Sequence, residues 1–180
     1  MKFLFATHNP NKIHEIKDIV DHTIQIMSLD DVGYKEEIPE DKSTLEENAL
    51  QKAEHVYNEL GMDCFADDTG LEIEDLNGRP GVFSARYAGP DKDPEANMNK
   101  VLSELQNSEN RQARFRTVIS LIFQGKKYVF EGIVNGKIIT EKRGEEGFGY
   151  DPIFQPEGYD QTFAEMPLNI KNKISHRSRA

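Results

Sequence analysis

From Ala113 to Ile139 the apolar residues recur with a period of two. Phe115, Thr117, Ile119, Leu121 and Phe123 share one face of an extended chain, with Val118 and Ile122 on the other. A strand that is apolar on both faces needs cover on both, which a sheet between helices provides. Gly125-Lys126 turns the chain back, and Tyr128, Phe130, Gly132 and Val134 form the partner strand. Asn135-Gly136 then reads as a further hairpin turn leading to Ile138 and Ile139.

The period is helical elsewhere. Asn9 can cap a helix that has Pro10 at its first position and Ile13, Ile16, Ile19 and Val20 on one face. Thr44, with Glu47 three residues on, fits a capping box. Ala49, Leu50, Ala53, Val56, Tyr57 and Leu60 follow as a buried stripe, and Gly61 closes the helix. Asp93-Pro94-Glu95 opens a third helix. Lys2 to Ala6 and Ile24 to Met27 are short strand candidates. These strands and helices alternate ahead of a long antiparallel pair. No repeat, low-complexity tract or linker interrupts the chain, so residues 1–180 read as one domain.

The net charge of −10 argues against general affinity for a nucleic-acid backbone or an anionic membrane. No apolar run is long enough to span a bilayer, and KFLFAT is too short for a signal-peptide core. The single cysteine, Cys64, sits among apolar neighbours and suits an inert buried thiol in a reducing cytoplasm.

Phe65 to Gly89 carries the main candidate chemistry. Asp67 and Asp68 stand between two apolar runs, and Gly70 follows, which reads as strand, tight turn, strand. Two adjacent carboxylates are both ionised most easily beside a cation, and Mg²⁺ takes few carboxylates while favouring substrate phosphates. An Asx turn whose aspartates only cap backbone groups is the competing reading. Thr7-His8-Asn9-Pro10-Asn11-Lys12 follows a strand and opens a helix, where free N–H groups, the helix dipole and Lys12 would suit an anion. No G-x-x-x-x-G-K-S/T loop occurs.

Several other groups have two readings each. Glu40, in the acidic loop from Asp30 to Lys42, could reach a metal or be merely solvated. Asn48 and Lys52 lie one turn apart on one helix face, as an ordinary surface patch would. Arg86 could clamp a phosphate or be a surface arginine. The glycine-rich run from Arg143 to Phe154 presents Phe148 and Tyr150, either as a platform for a flat ring or as core residues. Lys171, His176 and Arg177 belong to a basic tail, solvated or supplying donors to carbonyl oxygens of a base.

Six motifs occur in order: T-H-N-P-N-K, T-L-E-E-N-A-L-Q-K-A, F-A-D-D-T-G-L, G-R-P-G-V-F-S-A-R-Y-A-G, G-F-G-Y-D-P-I-F and I-S-H-R. Together they resemble the inosine/xanthosine triphosphate pyrophosphatase family over almost the whole chain. The resemblance implies an elongated α/β fold, its long mixed sheet flanked by helices in two lobes around a nucleotide cleft, and a homodimer. The implied reaction is Mg²⁺-dependent hydrolysis of XTP, ITP or dITP to a monophosphate and pyrophosphate. It assigns Thr7, His8, Asn9, Pro10, Asn11 and Lys12 to the triphosphate, and Asp68 to the metal and to the attacking water. Lys52 and Arg86 would steady phosphate charge. Phe148, Gly149, Tyr150 and Asp151 would hold the base, with Lys171, His176 and Arg177 reading it. Thr69 stands where the family more often has serine and keeps the hydroxyl. The loop from Glu36 to Lys42 departs from the family pattern; Glu40 is the expected second metal carboxylate, with Glu37 next. A relative acting on modified pyrimidine triphosphates and a catalytically silent nucleotide-binding regulator are the alternatives.

Overall fold

A computed structural model describes residues 1–180. The chain is α/β, with a seven-stranded sheet in the order β2-β1-β3-β5-β6-β7 and β4 set against β3. The strands are β1 (Lys2–Phe5), β2 (Gln25–Met27), β3 (Cys64–Ile73), β4 (Pro80–Gly81), β5 (Gln112–Phe123), β6 (Lys126–Ile138) and β7 (Phe154–Pro156). The helices are α1 (Pro10–Ile19), α2 (Leu45–Leu60), α3 (Pro94–Glu104), α4 (Leu168–Ile174) and α5 (His176–Arg179). Two compact units result: Met1–Asp68 with Thr117–Gly132 and Ala180, and Thr69–Arg116 with Ile133–Arg179. No helix is long and apolar enough to cross a membrane.

In the first unit β1 pairs in parallel with β2 and β3. Successive side chains point to opposite faces, so two cores form. Phe5 and Phe65 stack at 4.5 Å and pack with Ile16 of α1. Leu4, Cys64 and Ala66 pack with Ala53 and Val56 of α2. The expected caps hold both helices. Asn9 Oδ1 accepts from the N–H groups of Asn11 and Lys12, and Thr44 Oγ1 from that of Glu47. Gly61, at φ 62°, closes α2 by donating to Tyr57 O.

The second unit has one core, in which Leu71, Ile73, Phe115, Val134, Ile138 and Phe154 of the strands meet Met98 and Val101 of α3. The expectation that β5 is covered on both faces does not hold there. The reverse face carries Glu72 and Arg114, paired at 2.6 Å.

Two expected turns are absent. Asp67 to Gly70 does not bend the chain: β3 runs unbroken for ten residues. Asn135-Gly136 likewise lies inside β6. Both glycines answer a close approach instead. A Cβ on Gly70 would lie 2.7 Å from Gly81 O, and one on Gly136 would lie 2.3 Å from Gln155 O. The true hairpin turn is Gln124-Gly125, with φ of 50° and 74°, the pair of left-handed residues that a two-residue turn between twisted strands favours.

Candidate functional site

Because β3 runs unbroken, Asp67 and Asp68 take different direct partners, although Lys12 still acts on Asp68 and Asp67 on Lys52. The two aspartates point to opposite faces, as the cores on either side require. Asp67 turns toward α1, and its Oδ1 accepts from Lys12 Nζ at 2.8 Å. Asp68 turns toward α2, where Lys52 Nζ lies 3.6 Å from its Oδ1. The same Lys52 Nζ donates to Glu40 Oε1 at 3.2 Å. Lys52 is therefore no surface residue: it is buried between two carboxylates.

The charges in this cluster interact strongly. Burial pushes the Asp68 carboxyl up to about 7; Lys52 opposes that shift, and the Glu40 carboxyl, hydrogen-bonded to it, adds to it. Burial also raises Glu40, but Lys52 and the bond to Asp68 outweigh it and leave the carboxyl below its ordinary value. The two carboxyls are thus pushed in opposite directions, Asp68 up and Glu40 down. For Lys52, burial works against the charge, and Asp68 and Glu40 overcome it. Two carboxylates that face the same buried ammonium, Asp68 and Glu40 on Lys52, also suit a hard divalent cation, which takes few carboxylates and leaves further positions for water or phosphate oxygens. Asp68 and Glu40 fit Mg²⁺ in this sense.

The loop before α1 is shaped by its own hydrogen bonds. Asn9 N–H donates to Thr7 Oγ1 at 3.2 Å, and His8 Nε2 lies 2.8 Å from Glu36 O. Pro10 has no N–H, and those of Asn11, Lys12 and Ile13 donate to Asn9. The first turn of α1 therefore presents the Lys12 ammonium and the helix dipole rather than the free amides expected from the sequence.

The second unit gathers the other candidates around the glycine-rich loop. Asp151 Oδ2 accepts from Lys171 Nζ at 2.6 Å and from Phe148 N–H at 2.9 Å. A Cβ on Gly147 would fall 2.1 Å from that oxygen, whereas one on Gly149 would meet nothing. Lys171 Nζ lies 5.1 Å, and Arg177 Cζ 5.9 Å, from the Phe148 ring centroid. Arg177 Nη2 donates to Thr69 Oγ1 at 3.4 Å. His176 stacks on Phe115 at 4.7 Å. The basic tail is thus helical, in α4 and α5, with Lys171, His176 and Arg177 buried. Tyr150 differs from Phe148: its ring is in the core and its hydroxyl donates to Ser84 O at 2.7 Å. The Arg86 guanidinium lies 5.4 Å from the Phe83 ring centroid.

Sequence reasoning missed how Glu40 is held. Asn48, read as part of a surface patch, is fully buried. Its amide grips Lys42 through Oδ1, which accepts from the N–H at 2.8 Å, and Nδ2, which donates to the C=O at 3.4 Å. The available signal was a polar residue beside Ala49 at the edge of the α2 apolar stripe.

Residues 3–180 match the Ham1 family. A dITP/XTP pyrophosphatase of Flavobacterium johnsoniae is 54% identical over 180 residues, covering 100% of this chain and 94% of the relative. The protein of the same description from Bacillus subtilis is 49% identical over 181 residues, covering 98% and 91%. The structure of the Staphylococcus aureus Ham1 protein superposes with a TM-score of 0.89 at 40% identity, over 100% of this chain and 94% of that one. A HAM1 protein from Coxiella burnetii gives 0.89 at 36% identity, over 99% and 93%.

Proposed function

The chain belongs to the Ham1 family, and from that premise we propose that it hydrolyses deaminated purine nucleoside triphosphates, namely XTP, ITP and dITP. The bond broken is the one between the α phosphorus and the oxygen bridging to the β phosphate, and the products are a monophosphate and pyrophosphate. We read residues 1–180 as one catalytic domain, working in the cytoplasm as a homodimer and using Mg²⁺. The relatives described as dITP/XTP pyrophosphatases, matched over the whole of this chain, support the substrate class.

One observation carries the chemistry: a buried lysine held between two buried or half-buried carboxylates, Asp68 and Glu40. Asp68 and Glu40 would hold Mg²⁺. Bound there, the ion would neutralise phosphate charge and lower the pKa of a coordinated water. Asp68 orients the attacking water and accepts its proton. Lys52 offsets charge that builds on the phosphate oxygens, and Lys12, fixed by Asp67, does so further along the chain of phosphates. Arg86 adds a cation, and Thr7 to Asn11 shape the loop that presents Lys12.

The base is assigned to the second unit's residues. Phe148 offers its ring for stacking, flanked by Lys171 and Arg177. Asp151 fixes both the Phe148 backbone and the Lys171 ammonium. Lys171, Arg177 and His176 present donors, which suit the carbonyl at position six of hypoxanthine and xanthine. Adenine carries an amine there, and donor facing donor leaves buried polar groups unpaired. Tyr150 and Gly149 support this loop rather than the ring itself.

The test is phosphate release coupled to an added inorganic pyrophosphatase, across dITP, ITP, XTP, ATP, GTP, UTP and dTTP. Turnover should be largest with the three deaminated purines and need a divalent cation, with the monophosphate identified by chromatography. Preference for a pyrimidine, or release of a nucleoside diphosphate, would defeat the proposal.

A further inference from the structure

Three side chains of α2 hold three consecutive loop residues in reverse order. Asn48 grips Lys42 through both its amide atoms. Gln51 grips Asp41 in the same two-way manner: Nε2 donates to Asp41 Oδ1 at 2.8 Å and Oε1 accepts from Asp41 N–H at 3.3 Å. Lys52 takes Glu40 at 3.2 Å. The i, i+3, i+4 spacing of 48, 51 and 52 puts all three on one face of the helix. Residues 36–42 form no helix or strand of their own. The position of Glu40 is therefore set by α2, and the anchor with no exposure at all is Asn48.

The grip by Asn48 differs in kind from the other two. Its side chain is 0% exposed and it engages backbone, so the bonds do not depend on the loop residue's identity. Gln51 is only partly buried and its partner Asp41 is exposed. The Lys52 bond holds the Glu40 carboxylate itself, the group that must shift when a cation enters. Asn48 is the fully buried side chain that fixes the chain near Glu40 without touching the carboxylate.

We propose that Asn48 is a positioning residue: by clamping the Lys42 peptide it holds Glu40 opposite Asp68 and so sets the affinity of this pair for a divalent cation. This rests on the assignment of Glu40 and Asp68 to the cation. Partners that orient metal ligands typically change metal affinity by about 10–100-fold when removed. Asn48 belongs to that class, acting through two residues of backbone.

The experiment measures Mn²⁺ binding to the full chain by electron paramagnetic resonance, with the metal alone and no nucleotide. The variants are Asn48→Leu, which keeps the branched shape and heavy-atom count and removes both bonds, and Glu40→Gln. Lys42→Pro removes the donated N–H from the exposed loop side and leaves the packing of α2 untouched, so it serves if Asn48→Leu does not fold. Dissociation constants should rise about tenfold or more for Asn48→Leu or Lys42→Pro. Turnover of dITP should show a matching rise in the Mg²⁺ needed for half-activation, with kcat recovered at saturating Mg²⁺. A purely structural role would lower the thermal midpoint of the metal-free chain and leave the Mn²⁺ constant of its folded fraction unchanged, which would overturn the proposal. If Glu40→Gln leaves Mn²⁺ binding unchanged, the assignment of Glu40 itself fails. If Glu40→Gln weakens binding and neither clamp variant does, only the role of Asn48 fails.

Discussion

Asp67 and Asp68 are neighbours on β3 that serve opposite faces of one sheet, Asp67 bound to Lys12 and Asp68 set beside Lys52 and Glu40. The doublet is two devices, one on each helix-covered face, and the two should separate on substitution. Asp68→Asn removes the proton acceptor and one of the two proposed cation ligands, so kcat for dITP should fall by about 100-fold or more. Nucleotide binding, followed by calorimetry, should persist in weakened form. Asp67→Asn leaves Asp68 in place and loosens Lys12, so its effect should fall mainly on KM. Unchanged turnover in Asp68→Asn would end its assigned role.

Local chemistry was legible in the sequence. The caps at Asn9, Thr44 and Asp93 form as expected because each bond joins residues within a few positions. Glycine was not legible, because a turn and a close approach place the same demand on the side chain. Gly70 and Gly136 should both be destabilising as alanine, since the added Cβ meets carbonyl oxygens of Gly81 and Gln155 that belong to paired backbone. Each should cost about 1–3 kcal/mol in chemical denaturation, the range for overpacking. Gly33, where a Cβ meets nothing, should show only the smaller cost of its left-handed backbone. The burial of Lys171 and Asn48 was hidden for another reason: it depends on partners, Asp151 and the Lys42 peptide, that the fold alone brings near.

Cys64 provides a pH test. Burial, with a smaller contribution from Asp63, pushes its thiol up to about 12, and Sγ donates to Ala53 O at 3.3 Å. Its ordinary value lies near 8.5–9. Between these values the unfolded chain loses the proton and the folded chain keeps it. This contribution to stability is therefore complete below about pH 9 and declines as the pH rises toward 12. Comparing wild type with Cys64→Ala in urea from pH 8 to 11 should show an extra fall of about 1.4 kcal/mol per pH unit above 9 in the wild type alone. The native thiol should also resist DTNB at pH 8 until the chain is unfolded. Rapid labelling of the folded protein would contradict the burial.

The Asp151–Lys171 pair gives a prediction in which stability and selectivity diverge. Both side chains are almost wholly buried, with exposures of 4% and 2%. Removing one partner leaves a buried charge whose desolvation is no longer offset. Asp151→Asn should therefore destabilise by about 3–5 kcal/mol, the usual cost of breaking a buried pair. The double variant Asp151→Asn with Lys171→Met removes both charges at similar volume, so it should be more stable than Asp151→Asn alone. Activity should follow the opposite logic. Asp151→Asn keeps the Lys171 ammonium and, where it folds, should retain a preference for dITP over dATP. The double variant loses a donor facing the base and should lose most of that preference. Denaturation curves and the ratio of kcat/KM for dITP and dATP separate the two effects. A double variant as selective as the wild type would show that Lys171 serves the fold and leaves reading of the base to Arg177 and His176.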